Sequence, residues 1–139
     1  MEYGIGKNKV ISVMENMLRN CPLNMIYYNV VFTDEEIVVD YLIKSYRTWI
    51  LHVSPVKVYE YDGMDSSDIL KKNRENFTIR FHDIEKIVFK KRSFFTNARI
   101  EINAKGLEEK LVLFSKDRID TEAYYNLVKP YLKEKAEIK

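Results

Sequence analysis

The chain has 139 residues, of which 46% are hydrophobic and 32% charged, with a formal net charge of +2. That length fits one domain, residues 1–139, with apolar residues enough for a core, and the composition excludes a disordered chain. Cys21 is the single cysteine, which excludes an intramolecular disulfide and a cysteine-rich zinc site.

No basic segment followed by an apolar run opens the sequence, so no signal peptide is expected. The longest nearly uncharged stretch, residues 21–33, is too short to cross a bilayer, and a cytoplasmic protein is expected. The small net charge hides an asymmetry. Residues 1–70 hold six Lys and Arg against ten Asp and Glu, whereas residues 71–139 hold seventeen against eleven. The excess peaks from Lys86 to Arg99, where Lys86, Lys90, Lys91, Arg92 and Arg99 occur with no acidic residue between them.

In chain order, residues 7–20 place Val10, Val13, Met14, Met17 and Leu18 at the spacing of one helical face. An N-terminal helix is expected there, with Asn8 as its cap and Pro22 ending it. A sheet is expected over residues 25–116. MIYYNVVF and IVVDYLI flank the acidic Thr33-Asp34-Glu35-Glu36 and read as a β-hairpin. Residues 46–61 read as an irregular or short helical crossover followed by a short strand, with Trp49 and Ile50 in the core. The turn formers Asp62 to Ser67 lead into a short helix near 66–75, capped by Asp65 or Ser66.

From Phe77 the pattern is plainer. In FTIRF the apolar residues Phe77, Ile79 and Phe81 alternate with Thr78 and Arg80, as a half-buried strand requires. His82-Asp83 turns the chain into a strand over residues 84–91. Ile100 and Ile102 alternate with polar neighbours, Gly106 supplies a hairpin turn, and Leu111 to Phe114 completes the pair. Residues 118–135 are expected to form an amphipathic C-terminal helix, with Pro130 bending or fraying its last turn.

FTIRFHDIEKIVF resembles the pleckstrin-homology-like superfamily, especially its GRAM-like and prokaryotic members, through Ile79, Phe81, Asp83, Ile84 and Ile87. The hairpin IYYNVVFTDEEIVV is similar to the opening hairpin of those domains, and the helix after LVLFSKD to their closing helix. The resemblance implies an α+β fold, a bent, mainly antiparallel sheet or barrel capped by a C-terminal helix, here with the extra N-terminal helix. It also implies binding of lipids, peptides or proteins, usually without catalysis, and it transfers no catalytic residue.

Enzyme signatures point the same way. There is no P-loop, no GxGxxG and no nucleophile elbow, and only His52 and His82 are available as histidine acid–base groups. His82-Asp83 reads as a turn, and Cys21 as a small thiol at the end of an element. No catalytic residue, metal ligand or cofactor is assigned.

The sharpest functional candidate is KKRSFF. Cations beside two aromatics at a hairpin tip suit an anionic membrane surface, the charges meeting headgroups while the rings enter the interface. The expected contacts are Lys86, Lys90, Lys91, Arg92, Phe94, Phe95 and Arg99. A non-catalytic binding or adaptor module is therefore expected, cytoplasmic and peripheral to a membrane, with anionic lipid headgroups as the leading partner. A protein partner or a homodimer through sheet edges and aromatics is the alternative. Nucleic acid, with phosphates on the cations and a base on Phe94 or Phe95, ranks below lipid.

Overall fold

The computed structural model describes residues 9–46, 61 and 63–139, and the side chains among them except those of residues 43–46. The expected crossover at 46–61, with Trp49, Ile50 and His52, and the Asn8 cap lie almost wholly outside the described residues. The strands are β1 (Val10–Asn20), β2 (Asn24–Thr33), β3 (Glu36–Tyr46), β4 (Phe77–Arg80), β5 (Ile84–Lys90), β6 (Arg99–Ala104), β7 (Leu111–Phe114) and β8 (Ala136–Ile138). Two α-helices accompany them, α1 (Ser66–Leu70) and α2 (Thr121–Leu132). Among the described residues the strands form one sheet in the order β4-β3-β2-β1-β7-β6-β5-β8. Every neighbouring pair is antiparallel except β5–β8, which is parallel.

The expected N-terminal helix is a strand. The helical spacing of its apolar residues comes from a β-bulge: Met14 pairs with Val30 and Met17 with Tyr28, so three steps along β1 match two along β2. Asn16 within the bulge takes a φ of 58°, a value Asn tolerates better than most residues. The extra residue lets Met14 and Met17, three apart, both enter the main core, while Val13 joins a second cluster on the other face. Strand alternation with one bulge thus imitates a helix.

The second hairpin forms where expected. Thr33 closes it: its hydroxyl donates to the Glu36 carbonyl (2.8 Å) and accepts from the amides of Glu35 (3.2 Å) and Glu36 (3.0 Å). β2 lacks clean alternation because both faces are covered. Val30 and Phe32 face the main core, and Val31 packs with Val38, Tyr61 and Ile69 beneath α1. α1 is shorter than expected and ends at Leu70. Asp65 caps it reciprocally with Asp68, each side chain accepting from the other's backbone amide at 2.9 and 3.1 Å.

β4 to β7 follow the sequence pattern closely, with Gly106 at φ 92° in the last hairpin. The C-terminal helix covers 121–132 rather than 118–135. It stops two residues beyond Pro130 and gives way to a 3-10 turn, Lys133–Lys135, and then to β8, which the sequence pattern did not indicate. Val128 and Leu132 are buried as the periodicity predicts, but Leu127 and Tyr131 are 49% and 46% exposed.

The sheet is strongly curled. β2 and β5 lie four strands apart in the sheet order. A flat sheet would separate them by roughly 19 Å, yet the Phe32 and Phe89 ring centroids are 6.1 Å apart. The main core fills the concave side, drawing residues from all eight strands, and Val128 and Leu132 of α2 plug it.

Candidate functional site

Residues 91–98 join β5 to β6 and project from the sheet. Ser93 and Thr96 clamp the tip. The Ser93 amide donates to the Thr96 carbonyl (2.9 Å), the Thr96 amide to Ser93 Oγ (3.2 Å), and the two hydroxyls lie 2.6 Å apart. Phe94 and Phe95 occupy the two central positions of this turn, 93% and 90% exposed, and meet only edge to face with centroids 4.8 Å apart. At the base, Ala98 is buried and its carbonyl accepts from the Ser115 amide (2.9 Å), while the Lys91 amide donates to the Lys139 carbonyl (2.9 Å). An anchored base and a clamped turn thus hold two large apolar rings in solvent.

The cations of the region do not form one free field. Lys90 and Arg99 face each other across β5 and β6, and both reach Glu101, at 3.0 and 2.9 Å. Lys110, unflagged by the sequence pattern, meets the same carboxylate at 3.0 Å. Burial of Glu101 opposes its ionisation, but hydrogen bonds from Lys90, Arg99 and Lys110 prevail and hold the carboxyl at about 2. Lys86 is paired with Glu137 of β8, and its hydrogen bond pulls that carboxyl below the usual range. The expectation of five cations without acidic neighbours is corrected accordingly. Glu101 is close because cross-strand register, not sequence adjacency, decides contact, and Glu137 arrives through the unforeseen β8.

What remains at the tip is Lys91 and Arg92. Lys91 lies 3.6 Å from Glu122, both side chains more than half exposed, a pair that water and salt screen heavily. Arg92 has no carboxylate partner among the described residues. The structure therefore brings Lys91, Arg92, Phe94 and Phe95 together, and withdraws Lys86, Lys90 and Arg99 into ion pairs.

A second polar cluster lies beneath α1. Asp40, 1% exposed, accepts from Tyr61 Oη (2.6 Å), Lys72 Nζ (2.9 Å) and Asn76 Nδ2 (2.8 Å). Tyr61 Oη in turn accepts from Asn29 Nδ2 (2.9 Å), and Asn29 Oδ1 takes the amide of bulge residue Asn16 (2.9 Å). Burial first, and the hydrogen bond to Asp40 next, drive the Tyr61 phenol far above its ordinary value, so it stays a donor. The chain Asn16–Asn29–Tyr61–Asp40–Lys72 ties the bulge to α1. The side chains of Asn29, Tyr61, Asp40 and Lys72 bond in series, which suits a structural pin.

His82 Nε2 lies 3.3 Å from Asp83 Oδ1 in an exposed turn. Cys21 is a half-buried free thiol in the β1–β2 turn. Among the described residues no group of three or more His, Cys, Asp and Glu is placed to hold a metal ion, and no helix is long and apolar enough to cross a membrane.

No family model and no curated protein matches the sequence. Solved structures share the fold, among them these two. The C-terminal domain of an unknown protein from Leishmania infantum aligns with a TM-score of 0.51 at 15% identity, covering 91% of this chain and 86% of that one. The hSac2 domain from human phosphoinositide phosphatase Sac2 aligns with a TM-score of 0.51 at 10% identity, covering 96% of this chain and 77% of that one. At such identities the likeness is one of fold alone.

Proposed function

We propose that this protein is a non-catalytic binding module of pleckstrin-homology-like architecture that docks on anionic membranes through the tip of the β5–β6 loop. The observation that carries the reading is the pair Phe94 and Phe95, almost fully exposed on a clamped turn beside Lys91 and Arg92. Exposed apolar side chains scattered singly are ordinary on protein surfaces, but two adjacent rings held out on a turn are not. Magnitudes rank the contributions. Burying a phenylalanine is worth about 1.5–3 kcal/mol, and a cation near an anionic leaflet about 1 kcal/mol. With three of the region's cations engaged by carboxylates, insertion of the rings outweighs charge.

The architectural label rests on seven antiparallel strands that curl around one core and on the helix that plugs it. The fold is shared with a domain of a phosphoinositide phosphatase, an enzyme named for an anionic lipid, and this agrees with a membrane-facing role. The module is read as cytoplasmic and peripheral, without catalysis; among the described residues the buried carboxylates Asp40 and Glu101 are both engaged by hydrogen bonds from neighbouring side chains.

Co-sedimentation with vesicles of neutral lipid, with and without anionic lipid, tests the proposal. Binding is expected to favour anionic vesicles. It should fall by more than about a hundredfold when Phe94 and Phe95 are both replaced by Ser, and by up to about thirtyfold for Lys91→Ser with Arg92→Ser. Equal binding by the Phe94→Ser, Phe95→Ser protein would sink the reading.

A further inference from the structure

Ser93 is the one Ser or Thr in the sequence that directly follows three consecutive basic residues, Lys90, Lys91 and Arg92, and two aromatics come after it. The fold sets this pattern where another enzyme can reach it. Residues 91–97 are all exposed, and burial resumes only at Ala98. Other hydroxyls lack one half of the combination. Thr121, three residues after Arg118, is buried, and Thr96 is exposed but preceded by the uncharged Ser93, Phe94 and Phe95. The Ser93 oxygen accepts from the Thr96 amide (3.2 Å) and lies 2.6 Å from Thr96 Oγ1. Both contacts are exposed, so water replaces them readily when the turn opens into a cleft.

We propose that Ser93 is a phosphorylation site for a serine/threonine kinase of basic-residue specificity, and that phosphate there releases the tip from the membrane. The release rests on the reading that this tip docks on anionic lipid. The γ-phosphoryl group of ATP passes to Ser93 Oγ. Its bond to the bridging oxygen of ADP breaks as the new bond forms, and the hydroxyl proton goes to the kinase's aspartate. Such kinases select substrates by charge pattern, their carboxylates meeting cations ahead of the acceptor. Lys91 and Arg92 present those cations in solvent, whereas Lys90 is held by Glu101.

The product carries about −1.5 to −2 charges at pH 7, enough to offset Lys91 and Arg92 together. It also stands next to Phe94, so insertion of the rings would carry a hydrated dianion toward anionic headgroups. Losing both cations costs up to about thirtyfold in binding, and the phosphate adds repulsion, so a fall of about thirtyfold or more is expected.

The test incubates the whole protein with ATP and the catalytic subunit of a basic-directed kinase and locates the phosphate by mass spectrometry. Co-sedimentation with phosphatidylcholine vesicles containing phosphatidylserine is measured before phosphorylation, after it, and after phosphatase treatment. Ser93 is expected to be labelled, binding to fall about thirtyfold, and the phosphatase to restore it. At pH 5, below the second phosphate pKa of about 6, part of the loss should return relative to unmodified protein at that pH, which a steric effect would not show. Equal labelling of a Ser93→Ala protein, or phosphate confined to Thr96, overturns the site. Unchanged binding by protein phosphorylated at Ser93 overturns the release. If the unmodified protein fails to bind, the docking reading falls and the release with it, while the mass spectrum still decides the site.

Discussion

Glu101 governs the charge of its surroundings more than any of the cations does. Its side chain is only 10% exposed, yet it accepts from Lys90, Arg99 and Lys110 at 2.9–3.0 Å. Lys90 and Arg99 sit directly opposite each other on β5 and β6, a repulsive placement that the carboxylate converts into a bridge. Its folded value of about 2 lies below the ordinary 4.5, so its stabilisation is complete above pH 4.5 and is lost as pH falls toward 2. At neutral pH that is roughly 3 kcal/mol. Glu101→Gln should therefore lower the urea midpoint clearly at pH 7. The gap to the parent protein should shrink to a fraction of that at about pH 2.5. A gap that stays constant between the two conditions would show that shape, not charge, is what Glu101 supplies.

Elements were legible where local pattern and tertiary burial agree. FTIRF, the strand after His82-Asp83 and the Gly106 hairpin were legible because their apolar residues, among them Ile79, Ile84, Ile87, Ile100, Ile102, Leu111 and Leu113, enter the concave core. β1 was not, because its bulge at Asn16 shifts the apolar spacing to that of a helix. Nothing local announces such a bulge, which is held by Asn29 from the neighbouring strand. β8 is three residues long and draws its stability from β5, so it leaves no periodicity to read. Of the site, the loop and its two rings were legible from composition, whereas the carboxylates that engage Lys86, Lys90 and Arg99 were not, since they come through strand pairing.

The junction between α2 and β8 carries its own test. Lys133 ends the helix at φ 56° and ψ −129°, a region that glycine occupies freely and a lysine only under strain. Relief of that strain outweighs the added freedom of the unfolded chain, so Lys133→Gly should stabilise the protein by up to about 1 kcal/mol. Thermal melting checks this, and a drop in midpoint would mean that the Lys133 stem packs usefully.

At the scale of the whole molecule, curling brings the two ends of the sheet near each other, and the segment after α2 fastens them. Lys135 Nζ donates to the Phe81 carbonyl (2.9 Å) at the end of β4, and Lys129 Nζ to the Ala136 carbonyl (3.0 Å). β8 then lies parallel to β5, the Lys139 amide reaching the Phe89 carbonyl and the Lys91 amide the Lys139 carbonyl, both at 2.9 Å. The same strand covers the β5 edge and anchors the base of the aromatic loop. Ladder alternation gives this clasp a distinctive signature. The amides of Phe89 and Lys91 point toward β8, whereas those of Val88 and Lys90 point toward β6. A chain ending at Lys135 should lose hydrogen-exchange protection at Phe89 and Lys91 while Val88 and Lys90 retain it. Its stability should fall by about 2–4 kcal/mol, for the buried Ala136, the half-buried Ile138 and the lost ladder. Uniform loss along β5 would instead make β8 part of the cooperative core. If the alternating pattern appears, the same truncated chain should also bind anionic vesicles more weakly, because Lys91 and the tip beyond it have lost the strand that fixes where the loop leaves the sheet.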